Sequence, residues 1–204
     1  MLIVITVIMG VIGILLFMFI ACSFKRLLLA NESGFLHLLM SLMFLCWLPI
    51  PFAIYIKMKE YDFLLIGTIF GVLSLLLFIF TMLLQAGHLS YSAKVQGTDK
   101  ILWENRDEWM LNGLLGGLVE LMAGFLKGIW AIFLTICFKL NGQTIFFMTG
   151  IVYCILTLFY LSMLFNSSIN KKPKFLKYLK LNTAVMNLEN VVWFAVLLIW
   201  LVTE

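Results

Sequence analysis

The sequence predicts an all-α protein, a polytopic bundle of about six transmembrane helices with one short interfacial helix in its third connection. Three observations predict it. The 204 residues are 64% hydrophobic and 12% charged, whereas a soluble domain is nearer ~45–50% apolar and ~25% charged. Six apolar runs are each long enough to cross about 30 Å of hydrocarbon, which takes ~20 helical residues. The basic residues gather in alternate connections, as the positive-inside rule requires of a multi-pass chain.

The six runs lie near residues 2–24, 34–56, 63–86, 111–138, 144–165 and 183–202, and the whole of 1–204 reads as a single transmembrane helical domain. The first run ends in Lys25-Arg26 and not in a small-residue cleavage site, so it reads as a span and not as a signal peptide. The second contains Leu48-Pro49-Ile50-Pro51, which predicts a kink or early stop. The third carries a line of small residues, Gly67, Gly71 and Ser74, that suits close packing against the fourth. The third connection is the only long one before the fourth run. There Asp99 is placed to cap a short helix that Trp103 and Trp109 would hold at headgroup level.

Connections one, three and five hold ten of the fourteen Lys and Arg residues. Connections two and four hold Lys57, Lys59 and Lys139, and Lys127 lies within a span. This split puts connections one, three and five in the cytoplasm and both termini outside. The abundance of Lys over Arg, with many Phe and Ile, suits an A/T-rich bacterial genome and hence a bacterial plasma membrane. The fifth connection, Lys171 to Lys180, mixes bases with Phe175 and Tyr178, a pattern suited to anionic lipid and not to nucleic acid.

The fourth span carries the most informative feature. Gly113, Gly117, Glu120, Gly124, Lys127 and Ala131 recur at steps of four and three, which predicts a single helix face. A charge inside a membrane helix costs roughly 2.5–3.5 kcal/mol on the lenient insertion scale, so this face must meet protein or water. Lys127 stands eleven residues before Phe138; that is ~16 Å of helix, beyond a side-chain reach of ~6 Å. A direct Glu120–Lys127 bond would span about 10.5 Å of helix, so a water or another helix is the better partner for each.

The expected ligand or ion path comprises Glu120, Lys127, Asn187 and Glu189, the last two at the polar start of span six. Glu189 is offset by about 100° from Asn190 and reads as an interfacial acid satisfied by the lysines of connection five. The expected packing positions are Gly67, Gly71, Gly113, Gly117 and Gly124. His37 and His88 read as boundary residues, and Glu104, Asp107 and Glu108 as a solvated face.

Cys22, Cys46, Cys137 and Cys154 form no C-x-x-C, and no metal site or cofactor is expected. No nucleophile–base constellation or P-loop is present, so the expectation is not an enzyme. Two functions remain: a transporter or channel using the Glu120/Lys127 locus, or a non-enzymatic accessory subunit or toxin-immunity protein. The second would use the glycine-lined faces for a protein partner or a homo-oligomer. Topology is tested by a Lys174→Cys variant in a cysteine-free background. An impermeant thiol reagent should label it only after the membrane is opened, and labelling from outside intact cells contradicts the orientation.

Overall fold

The computed structural model describes residues 1–95, 99–169 and 182–203, and the basic run Lys171–Lys180 lies outside them. Every regular element among the described residues is helical. The helices are α1 (Leu2–Leu29), α2 (Ser33–Trp47), α3 (Ile50–Lys57), α4 (Leu64–Val95), α5 (Lys100–Glu108), α6 (Leu118–Leu140), α7 (Thr144–Ser168) and α8 (Thr183–Thr203), with a π-helical turn (Trp109–Leu114) between α5 and α6. Six helical stretches are long and apolar enough to cross a membrane, α2–α3 counting as one and the α5–α6 stretch as another.

The chain breaks where its chemistry requires. Pro49 lacks the N–H that a continuous helix would use, so α2 stops at Trp47 and α3 restarts with Pro51 in its first turn. Helix α4 runs nine residues past the expected end at Ala86 because its polar residues find partners. Gln85 bonds to Glu120, and Ser92 donates to Asp107 Oδ2 at 2.8 Å. His88 Nε2 faces Asp107 Oδ1 at 2.9 Å. These contacts and a Tyr91–Trp103 edge contact tie α5 to the end of α4. The carboxylate face expected to be solvated therefore includes one acid, Asp107, that is spent on α4. Asp99 occupies the N-cap position of α5, but its side chain makes no capping bond, contrary to expectation.

In order of close packing the spans run α7, α6, α4, α2, α1, α8. The interior is filled by large rings: Trp47 stacks on Phe194 at 4.6 Å, Phe44 on Phe78 at 4.6 Å, and Trp130 meets Trp193 edge-on at 6.1 Å. Trp47 also donates Nε1 to the Gly10 carbonyl at 3.2 Å, locking α2 to α1. The outer faces stay apolar, with Val4, Ile8, Leu15, Ile145, Val152, Ile155 and Leu158 exposed.

The glycine stripe divides. A Cβ on Gly67 or Gly71 would lie 2.6 Å from the Phe133 or Trp130 side chain, and one on Gly124 would lie 2.6 Å from the Tyr160 ring. These three glycines admit rings of α6 and α7 into the bundle. Gly113 does not: it is exposed in the π-helical turn, and an added Cβ would meet only Trp109. Gly117 is the N-cap residue of α6, crowded only by the local Asn112 carbonyl. The stripe expected to be continuous thus begins at Glu120, because Gly116-Gly117 ends the preceding turn and α6 starts after it. Gly71→Leu should cost about 1–3 kcal/mol or more by overpacking against Trp130, read as a lower Tm and loss of monodisperse protein. Gly113→Leu should leave both unchanged.

Candidate functional site

Glu120 and Lys127 belong to two separate polar loci. Lys127 is 1% exposed and entirely surrounded by protein. Its Nζ donates to Glu189 Oε2 and to Asn190 Oδ1, each at 2.5 Å. The neighbouring helix α7 completes the cluster. Tyr160 donates its hydroxyl to Glu189 Oε2 at 2.9 Å, and Tyr153 donates to the Glu189 carbonyl at 2.9 Å. Both rings also face the ammonium, at 5.6 Å for Tyr160 and 5.9 Å for Tyr153, an arrangement that attracts a cation to the ring faces. Asn190 is held in turn by donating Nδ2 to the Met186 carbonyl at 3.0 Å.

This geometry revises the role expected of Glu189. It is the counter-ion of Lys127, and the bond crosses from α6 to α8. The offset between positions 189 and 190 is no obstacle, because one long ammonium reaches both side chains. Lys127 is enclosed, whereas Glu189 and the two tyrosines border grooves between α7 and α8; an ion pair whose partners are other protein groups fixes helices in place.

Glu120 sits in the first turn of α6, where the helix dipole and unpaired backbone N–H groups favour a carboxylate. Its Oε1 accepts from Gln85 Nε2 at 3.0 Å, and Gln85 is itself within 3.4 Å of Thr81 Oγ1. Thr81 donates to the Leu115 carbonyl at 3.0 Å, holding the unwound segment that precedes α6. Among the described residues, no cationic side chain pairs with Glu120.

Glu120 lines a cavity of about 460 Å³ whose polar walls are His37, Gln85, Asn112, Ser167 and Asn187. They lie toward the ends of their elements that meet connections one, three and five, Gln85 ten residues before the end of α4. Asn187, expected with Glu120 on one path, does share the cavity, whereas Lys127 and Glu189 do not line it. One to three turns further along the same helices stand Phe44, Trp47, Phe78, Trp130 and Phe194, all fully buried. They close the interior beyond the cavity.

The opposite end is stapled. Lys57 donates to the Leu201 carbonyl at 3.0 Å and lies over the Trp200 ring. Trp200 Nε1 donates to Gln143 Oε1 at 2.8 Å, and Tyr61 donates to Asn141 Oδ1 at 2.7 Å. Among the described residues, the cavity therefore opens only at the end of the bundle that meets connections one, three and five.

Gln85, His37 and the tyrosine pair were not singled out as site residues from sequence. A glutamine inside an apolar run and tyrosines seven residues apart on one helix face were the available signals. The expected absence of a metal centre stays an expectation; among the described residues, no cluster of three His, Cys, Asp or Glu has metal-binding geometry. Compared with protein-family models, with curated proteins and with solved structures, the chain matches none.

The two loci make a contrast in stability. Lys127→Met should cost about 3–5 kcal/mol by stranding Glu189, and the double change with Glu189→Gln should recover much of it. Glu120→Gln should leave Tm nearly unchanged. Thermal unfolding of the purified variants checks all three.

Proposed function

We propose that the protein is a multi-pass carrier of the bacterial plasma membrane that binds a cation or proton at Glu120 from the cytoplasmic side. Both termini lie outside in this reading, so the cavity opens toward the cytoplasm with connections one, three and five. The exposed apolar faces of α1 and α7 support the membrane assignment, since a soluble monomer rarely exposes contiguous apolar surface on this scale.

The observation that carries the reading is the uncompensated carboxylate. Lys127, the nearest candidate counter-ion in sequence, is committed to Glu189 and Asn190. Among the described residues Glu120 has a single donor, the neutral Gln85, and it faces a cavity. A buried carboxylate without a cation is unfavourable, and an arriving cation or proton relieves that cost. The closure by rings and staples at the far end suits the inward-open state of a carrier that alternates access.

The accessory reading rested on glycine faces offered to a partner. Gly67, Gly71 and Gly124 are filled by the chain's own rings, so they no longer argue for one. A role for connection five at anionic lipid is kept as part of the proposal on its sequence alone.

Purified protein in liposomes tests the reading. Wild type should carry a cation or proton flux under an imposed gradient, and Glu120→Gln should abolish it with the fold intact. Gln keeps the shape and hydrogen bonding but cannot ionise. Flux that survives Glu120→Gln overturns the assignment.

A further inference from the structure

The walls around Glu120 say more about the ligand than its charge. Three features bear on it, and each is independent of the others.

The first is the balance of hydrogen-bonding groups. His37 Nδ1 lies 2.8 Å from the Ser33 carbonyl. A carbonyl only accepts, so Nδ1 carries the hydrogen and Nε2 of the neutral ring is an acceptor. Glu120 Oε1 already takes the Gln85 donor, and its second oxygen has no protein donor among the described residues. The site thus offers acceptors from a carboxylate, an imidazole and the Asn112 and Asn187 carbonyl oxygens. Asn112, Asn187 and Ser167 can also donate, but among the described residues no Lys or Arg lines the cavity. A ligand rich in N–H donors and positively charged fits, and an anion does not.

The second is the apolar part of the wall. Leu36, Met40, Met82, Leu121 and Met163 line the same cavity, with Phe24. Thioether and branched side chains give an adaptable apolar surface with no use for a bare or hydrated inorganic ion. The third is size. A volume of about 460 Å³ falls within the usual range for small organic ligands, ~300–1,000 Å³.

We infer that the Glu120 cavity binds an organic ammonium ion, its N–H groups on Glu120 and its hydrocarbon part against Met40, Met82 and Met163. This inference rests on the proposed cation binding at Glu120 and names the class of cation. The ammonium replaces its water with the carboxylate and neighbouring acceptors, and the chain gains the burial of apolar surface.

The test uses purified full-length protein in detergent, with calorimetric titration and thermal shift. The probes are n-hexylammonium, 1-hexanol, hexanoate, methylammonium and potassium. Binding to Glu120→Gln is subtracted throughout to remove partition into the micelle. Hexylammonium should bind and raise Tm. Methylammonium should bind roughly tenfold more weakly or worse, from loss of the chain, and hexanol and hexanoate should show no Glu120-dependent binding.

Ser167→Phe supplies a second variant. Ser167 is an exposed position on the cavity wall, so the change narrows the cavity with the carboxylate kept. It should weaken hexylammonium more than potassium. Equal Glu120-dependent binding of potassium and hexylammonium would overturn the organic class and leave cation binding at Glu120 standing. No Glu120-dependent binding of any cation, with Tm of both variants unchanged, would overturn both.

Discussion

The ion pair between Lys127 on α6 and Glu189 on α8 is the constraint that organises this bundle. The spans form a ring in which each backbone packs closely on the next, except where α8 must meet α6 and α7. There the contact is made by side chains: the ammonium, its carboxylate and carboxamide, and two tyrosines. Such a cluster is not a source of great stability, because desolvating two charges offsets most of their attraction. What it supplies is register. A helix slid by one residue would bury Lys127 or Glu189 without a partner, and that cost selects a single arrangement.

The same commitment defines the chemistry at Glu120. With Lys127 engaged some seven residues deeper along α6, no cation among the described residues compensates Glu120. The unwound Leu115–Gly117 segment then matters. It ends one helix, starts another beside the cavity, and puts Glu120 at the favourable end of the new one. Helix α6 alone, 23 residues and about 35 Å long, suffices to cross the hydrocarbon. Glu120 therefore stands near one face of the bundle and is reached through a cavity, whereas Lys127 is enclosed.

Much of this was legible in the sequence, and the rest was not for identifiable reasons. Span lengths follow from apolar runs, and the α2–α3 break follows from Pro49. Glu120 and Lys127 stand out because charge in an apolar run has few explanations. Their separation into two loci was hidden, since a heptad-like spacing cannot say which helix supplies each partner. The step of four from Gly113 to Gly117 mimics a packing line, and only the adjacent pair Gly116-Gly117 distinguishes a helix break from a packed face. Glu189 was misassigned because distance from a span's end measured its depth, while the length of the Lys127 side chain decided its partner. The cavity joins residues from six helices and the π-helical turn, and has no linear signature.

The central claim is that Glu120 faces a wet cavity open at one end while Lys127 is enclosed between α6, α7 and α8. Cysteine accessibility in sealed vesicles of known orientation, in a background free of native cysteines, measures this most directly. Cysteines at Ser167 and Asn187 should react with a small water-soluble thiol reagent from the side bearing connections one, three and five, and from that side alone. A cysteine at Thr157, buried on α7 between Tyr153 and Tyr160, should react from neither. Equal reaction at 157 and 187, or reaction at 187 from both sides, would contradict the account.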